Sequence, residues 1–483
     1  MIADLKPYPA MKDSGAPWLG EVPEHWEVKR AKTLFGTVDI RSESGDEELL
    51  TVSSNLGVVP RRSANVTMFK AESYAGHKLC WPGDLVINSL WAWSRGLGVS
   101  RDHGIVSTAY GVYRTRDAGV LDPRFVHEVV RSTPFHWELR VRSKGVWTSR
   151  LQLTDESFLG APFPLPPLPE QAAIVRFLDH ADRRIRRYIR AKQELIKLLE
   201  EQKQAIIHRA VTRGLDPNVC LKPSGVAWLG DVPEHWEVRR LKLLVRRIDQ
   251  GISPQAENYL ADGDSWGVLK SGCVNHGIFR QAEHKRLPSG FAFDPVLVVQ
   301  EGDVLVSRAS GSSHLVGSVG RVLSLTYKLI LSDKTFRPVF ADHASPDFMV
   351  LAMNSRSYRQ QVERAISGAE GLANNLPLSS LRAFFFAVPP VNEQREIVDD
   401  LRGTMEAAQI TAARVAREIS LLREYRTRLI ADVVTGKLDV REAAAQLPDE
   451  RDEPEPADEA EAPLDAEESQ AEDLDAIPEE AEA

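Results

Sequence analysis

Apolar positions follow two alternating periods along this chain. Counting from Leu178 in sevens gives Leu178, Ile185, Lys192, Leu199 and Ile206, with Ala181, Ile189, Ile196 and Ala210 between them. One apolar stripe of this kind predicts a single long helix. A second stripe repeats the first in register: Leu401, Ala408, Val415, Leu422 and Leu429, with Met405, Ala412, Ile419 and Val433 between. Two matched stripes predict a helix pair. Pro169 suits a first helical position, Glu170 favours the positive end of the helix dipole, and Gly214 and Gly436 are natural stops. The helices are assigned to 169–216 and 392–445. At about 1.5 Å per residue, a helix from Glu170 to Arg213 spans on the order of 65 Å. Two copies separated by a whole intervening domain are expected to lie antiparallel about a pseudo-twofold axis.

The segments before each helix have a different texture. Short β-branched runs, Asp84-Leu-Val-Ile87, Val296-Leu-Val-Val299 and Val304-Leu-Val306, are cut by Gly, Pro, Asn and Asp, the mark of strands and turns. The expected architecture is α+β: sheet-rich domains over 1–168 and 217–391, carried on a pair of long antiparallel coiled-coil helices.

The two halves are copies. Ser14-Gly-Ala-Pro-Trp-Leu-Gly-Glu-Val-Pro-Glu-His-Trp-Glu-Val-Lys-Arg30 returns as Ser224-Gly-Val-Ala-Trp-Leu-Gly-Asp-Val-Pro-Glu-His-Trp-Glu-Val-Arg-Arg240, with thirteen of seventeen positions identical. The echo continues at Gly83-Asp84 and Gly302-Asp303, and at Pro166-Pro-Leu-Pro-Glu-Gln171 and Pro389-Pro-Val-Asn-Glu-Gln394. Between these anchors the halves diverge, as in Asn88-Ser-Leu-Trp-Ala-Trp-Ser-Arg95 against Ser307-Arg-Ala-Ser-Gly-Ser-Ser-His314. A shared scaffold therefore presents two different surfaces.

Charge changes the picture once the tail is set apart. The net charge of -9 averages two unlike segments. From Pro448 to Ala483, 17 Asp or Glu stand against one Arg, while the remainder carries 59 Lys plus Arg against 52 Asp plus Glu. The segment 446–483 has almost no large apolar residue and is expected to be disordered. The mildly basic body suits a polyanionic partner. Cys80, Cys220 and Cys273 are far apart and form no CxxC pair, which argues against disulfides and zinc. No apolar run reaches the roughly 18 residues of a membrane span. The N-terminal residues lack a basic segment followed by an apolar one, so a cytoplasmic protein is expected.

Enzyme motifs are wanting. His127-Glu-Val-Val-Arg131 has Arg where a zinc-protease helix needs its second His. Thr435-Gly-Lys-Leu438 lacks the rest of a phosphate-binding loop, and Gly311 to Gly320 lacks dinucleotide-fingerprint spacing. Neither Leu165-Pro-Pro-Leu168 nor Val388-Pro-Pro-Val391 has the polar head and aromatic end of an amino-methyltransferase tetrad. The chain is read as non-catalytic, with no metal site.

A divergent domain, a Pro-Pro-x-x-Glu-Gln junction and a long helix, twice in one chain, resembles the specificity subunits of Type I restriction-modification systems. The motifs that carry the likeness are Leu165-Pro-Pro-Leu-Pro-Glu-Gln171 with Ile174, the Val-Pro-Glu-His-Trp openings at Val22 and Val232, and Thr435-Gly-Lys-Leu-Asp439. The resemblance implies two target-recognition domains, each reading half of a split, asymmetric site in double-stranded DNA, with the helices fixing the gap. It also implies two methyltransferase subunits using S-adenosylmethionine for adenine-N6 methylation, and motor-nuclease subunits using ATP and Mg; no cofactor is expected on this chain. About 65 Å corresponds to roughly 19 base pairs at 3.4 Å per step. The rival reading is a coiled-coil adaptor with two peptide- or RNA-binding heads.

Base and phosphate contacts need Arg, Lys, Asn, Gln, Ser or Thr side chains. In the first domain the candidates are Arg61, Arg62, Lys70, Asn88, Ser89, Trp91, Trp93, Ser94, Arg95, Lys144 and Arg150. In the second they are Lys270, Ser271, Asn275, Arg280, Ser307, Arg308, Ser310, Ser312, Ser313, His314, Asn374 and Asn375. Trp91 and Trp93 are read either as core aromatics or as one face of a strand. Trp18, Trp26, Trp228 and Trp236, kept in both halves, are assigned to core packing or docking of a partner.

Overall fold

The computed structural model describes residues 5–64, 73–145, 151–366 and 374–448. The described residues fall into two compact units, one within Met1–Arg190 and Ile419–Ala483 and the other within Ala191–Glu418. Each holds one head and a portion of both long helices.

In the first unit a four-stranded sheet is built from β1 (Phe35–Thr37), β2 (Leu85–Asn88), β3 (Leu97–Val99) and β4 (Tyr110–Thr115), in the order β1-β4-β2-β3 and antiparallel throughout. Leu85, Val86 and Ile87 are all buried. Successive side chains point to opposite faces, so both faces must be covered. Leu85 and Ile87 join the large core under the helices, whereas Val86 joins Leu50, Val58, Cys80 and Val106 on the other side. Helices α1 (Pro123–Arg131) and α2 (Thr133–Arg142) follow. Each starts on a side-chain cap, Asp122 accepting from the Arg124 amide and Ser132 from the Phe135 amide, as helix starts require.

The first long helix, α3, runs Leu168–Arg213. The second unit repeats the head with β5 (Val245–Gln250), β6 (Val304–Ser307), β7 (Ala309–Ser310), β8 (Val319–Arg321), β9 (Thr335–Phe340) and β10 (Asn374–Asn375). Its main sheet has the same topology, β5-β9-β6-β8, and β7 pairs with β10. Helices α4 (Pro346–Ala352) and α5 (Arg356–Ala365) take the places of α1 and α2, and the second long helix, α6, spans Val391–Val434. The region assigned to one helix over 392–445 is thus divided: α6 stops before Gly436, whose φ is 75°, and a short helix resumes at Arg441–Ala445. Val296–Val299 is not a strand either. Asp294 caps the Val296 amide and Pro295 opens a 3-10 turn over Pro295–Leu297.

Within each unit the long helices run antiparallel. In the first, Asp182 pairs with Arg426, and Leu178 and Ala181 share a core with Leu429 and Val433. In the second, Lys192 pairs with Glu418, and Ile207 and Ala210 share a core with Ile397 and Leu401. The predicted stripe faces inward at Leu178, Ala181, Ile185, Ile189, Ala210, Leu401, Val415, Ile419, Leu429 and Val433, all buried.

Candidate nucleic-acid interface

The repeated motifs converge where each head meets its helix. Glu27–Arg30 pairs with Pro162–Leu165, and Glu237–Arg240 with Phe385–Val388, so each Val-Pro-Glu-His-Trp segment is laid against the start of a long helix. There Glu170 accepts hydrogen bonds from Trp26 Nε1 (2.9 Å) and Tyr8 Oη, and its other oxygen lies 2.7 Å from His25 Nε2. Glu393 repeats this with Trp236 Nε1 (3.0 Å) and His235 Nε2 (2.8 Å). A carboxylate in the first helical turn also satisfies the positive dipole end. The next residue does a second job. Gln171 Oε1 accepts from the Asp122 amide while its Nε2 donates to Val120 O and Pro166 O. Gln394 does the same with the Ser345 amide, His343 O and Pro389 O. The Glu-Gln pair thereby ties helix start, repeated opening and head helix into one rigid joint.

The fully buried Trp26 and Trp236 are core residues of these joints. Gly214 and Gly436 close them from the far helix ends, both with φ of 75°. A Cβ on Gly436 would fall 2.3 Å from Pro23, and one on Gly214 would touch Trp236. Trp18 packs edge-on against Phe135, and the Arg364 guanidinium lies over Trp228.

A further shared device went unread in the sequence. The Asp of each Gly-Asp turn pairs with an Arg on the neighbouring strand: Asp84 with Arg114 through two 2.7 Å hydrogen bonds, and Asp303 with Arg337 at 3.0 Å. Arg337 is buried and also holds Asp249. The echo of Gly83-Asp84 at Gly302-Asp303 was the signal, but it gave no hint of the partner.

The divergent segments lie at the ends of β2 and β6, the same place on both sheets. In the first head, Asn88 ends β2 and caps the Leu90 amide, and Ser89 Oγ donates to Ala109 O. The Leu153 amide donates to Ser89 O, which draws in the bridge between Lys144 and Gln152. Trp91 and Trp93 belong to no strand. The turn Ala92–Ser94 brings them together with centroids 5.8 Å apart and planes 19° from parallel. Arg95 takes a left-handed φ of 63° and donates to Thr133 Oγ1 on α2. Arg61 faces Tyr110, the residue paired with Asn88; burial pushes that hydroxyl up from its ordinary range and Arg61 opposes the shift. Arg62 is exposed and 3.6 Å from Glu48. Lys70 and Arg150 lie outside the described residues.

In the second head, β7 and β10 set Ala309 opposite Asn375 and Ser310 opposite Asn374. Asn374 Nδ2 donates to Gly311 O, and Arg359 donates to the carbonyls of Ser313 and His314. Ser312 donates its amide to Ser310 Oγ. The Ser271–Gly277 turn, holding Ser271 and Asn275 after Lys270, packs against β6, β7 and β8. Arg280 donates to Asn275 O, and Lys270 lies 3.9 Å from Glu283. Arg308 donates to Asp333 O, with its guanidinium over the Phe336 ring. Ser307 departs from expectation: it is fully buried and its Oγ has no hydrogen-bond partner among the described residues. Position 307 is the last of β6 and points into a sheet covered on both faces, so its side chain is not on the surface.

Among the described residues no group of three His, Cys, Asp or Glu is placed to hold a metal, and no helix is long and apolar enough to cross a membrane. Two similar heads, each on a Glu-Gln joint to an antiparallel helix pair, define a class of duplicated, helix-spaced proteins. A solved chain described for complex assembly and conformational transition of the type I R-M system has this fold: TM-score 0.62, 18% identity, 86% of this chain and 99% of that one covered. In sequence the chain is similar to the Type I restriction enzyme EcoEI specificity subunit of Escherichia coli, 27% identical over 46% of this chain and 39% of that protein. It is also similar to the EcoKI specificity subunit of Escherichia coli strain K12, 22% identical over 57% of each. The resemblance carried by the motifs is thereby borne out. The matches span 39% and 57% of the lengths of these two relatives. No family model matches.

Proposed function

We propose that this chain is the DNA-sequence-recognition subunit of a Type I restriction-modification complex, each head reading one half of a bipartite, asymmetric site. The observation that carries this reading is that one scaffold and one joint occur twice while the segment at the same strand end differs. Two surfaces on a common frame suit two unrelated short words, and stiff helices between them turn word spacing into geometry. The chain performs no catalysis and holds no cofactor. Two methyltransferase subunits supply S-adenosylmethionine-dependent adenine methylation, and motor-nuclease subunits supply ATP- and Mg-dependent restriction.

Sequencing methylated adenine in host DNA, with and without an intact copy of the gene, tests this. The expected result is a split motif that disappears with the gene. Unchanged methylation, together with no duplex binding by the chain in company with a methyltransferase encoded nearby, would overturn it.

A further inference from the structure

The tips of the two heads are chemically opposite. At the end of β2, Leu90 and Trp91 are 49% and 39% exposed although both are large apolar residues. The surface they form is built rather than loose. Ala92 is fully buried beneath it, the amides of Ser94 and Gly96 both donate to Trp91 O, and Asn88 donates to Gly96 O. Gly96 has no room for a side chain, since a Cβ there would fall 2.9 Å from Trp91. Trp93 stacks behind Trp91 and donates its Nε1 to Leu90 O at 2.8 Å. From Asn88 to Ser100 the only charged side chain is Arg95. The corresponding tip of the second head, Arg308 to His314, exposes no large apolar side chain and offers Ser310, Ser312, Ser313 and His314 instead.

Hydrogen-bonding groups read the donors and acceptors of base edges, whereas an apolar side chain in the major groove finds one apolar feature there, the 5-methyl group of thymine. We infer that the first head recognises a thymine methyl group in its half-site through the Leu90–Trp91 surface, while the second head reads its half-site by hydrogen bonds. A rigid aromatic suits this because little side-chain entropy is lost on contact. The inference rests on the DNA-recognition reading and adds the chemistry of one word.

The test replaces each thymine of the mapped motif, singly and in both words, with deoxyuridine, which lacks only the methyl group. Duplex binding by the intact complex with its methyltransferase is then measured. One position in one word should lose about fourfold in affinity, the partition of one buried methyl group. Trp91→Ala should abolish that difference and Trp91→Phe should keep most of it, while the other word stays indifferent in all three proteins. Sequence-specific binding with no deoxyuridine effect at any position, or a motif in which one word contains only G·C pairs and the other is indifferent to deoxyuridine, overturns the inference and leaves the DNA-recognition reading standing. Trp91→Ala that binds DNA like the parent but no longer assembles with the methyltransferase makes the surface a protein-docking site and also overturns it. Absence of any sequence-specific binding removes both readings together.

Discussion

Replacing Gln171 with Leu isolates the joint between the first head and its helix. The side chain is fully buried and makes three hydrogen bonds, to the Asp122 amide at 2.8 Å and to Val120 O and Pro166 O at 2.9 and 2.8 Å. Leucine fills nearly the same volume, so little cavity cost is added. The loss falls on three backbone groups left without partners. A buried orphan amide costs about 1–3 kcal/mol, and carbonyls, with two lone pairs, cost less. A total of about 2–5 kcal/mol should lower the melting temperature of the first unit by roughly 4–20 °C, at about 2–4 °C per kcal/mol for a body of this size. Calorimetry with hydrogen exchange on residues 115–135 reads this directly, and Gln394→Leu should act likewise on the second unit alone. Gln171→Glu sharpens the test. It keeps the acceptor for Asp122 but turns a carboxylate oxygen toward two carbonyls. The introduced carboxyl should therefore have a raised pKa in the folded state, with stability present in acid and lost as pH rises. A Gln171→Leu protein that melts and exchanges like its parent, or a Gln171→Glu protein indifferent to pH, would refute this account of the joint.

Other outcomes follow from the same geometry. Arg337→Leu removes the cation shared by Asp249 and Asp303 and should cost the second unit about 3–5 kcal/mol, since a buried pair is broken from one side, measured by urea denaturation followed on that unit's tryptophans. Burial, then Asp179 and Asp182, push the Glu128 carboxyl up to about 7, against the weaker pull of Arg426 and Arg131. Its contribution is present below the ordinary carboxylate range and lost as pH rises through about 7, so melting temperatures of Glu128→Gln should fall less than the parent's between pH 5 and pH 8. Burial, then Arg131 and Arg101, hold His127 down to about 4; it stabilises above its ordinary value, near 6.5, and that stability disappears as pH falls toward 4, an acid-side loss that His127→Gln should reduce. Arg95→Ala or Arg308→Ala should relax the reading of one half-site and spare the other, as scored on a library of methylation sites; loss at both would contradict independent heads.

The parts legible in the sequence were those whose cause is local or repeated. Heptads at Leu178 and Leu401 announce buried stripes because a helix brings every seventh residue to one face. The Glu-Gln repeat marked the joint, yet its partners stayed hidden because Trp26 and Glu170 meet across 144 positions. Val296–Val299 misled because Asp294 and Pro295 impose a turn that outweighs β propensity. Ser307 misled because alternation separates inside from outside only when one face of a sheet is bare. Trp91 and Trp93 have strand spacing, but Gly96 and the left-handed Arg95 fold that stretch back on itself.

The first joint also draws together distant stretches of chain. Lys6 and Asp439 pair through their backbones, Tyr8 reaches Glu170, and Arg441 lies over the Tyr8 ring. At the second joint the corresponding passage, from Gly214 to Leu221, is covalent. A backbone hydrogen bond from Asp439 to Lys6 thus stands at the first joint where the second has a covalent passage. A circular permutant cut between Gly214 and Leu221, with the new link made before Lys6 and after the Arg441–Ala445 helix, should keep both units intact. Whether that passage is covalent or hydrogen-bonded is then a separate matter from how each joint is built.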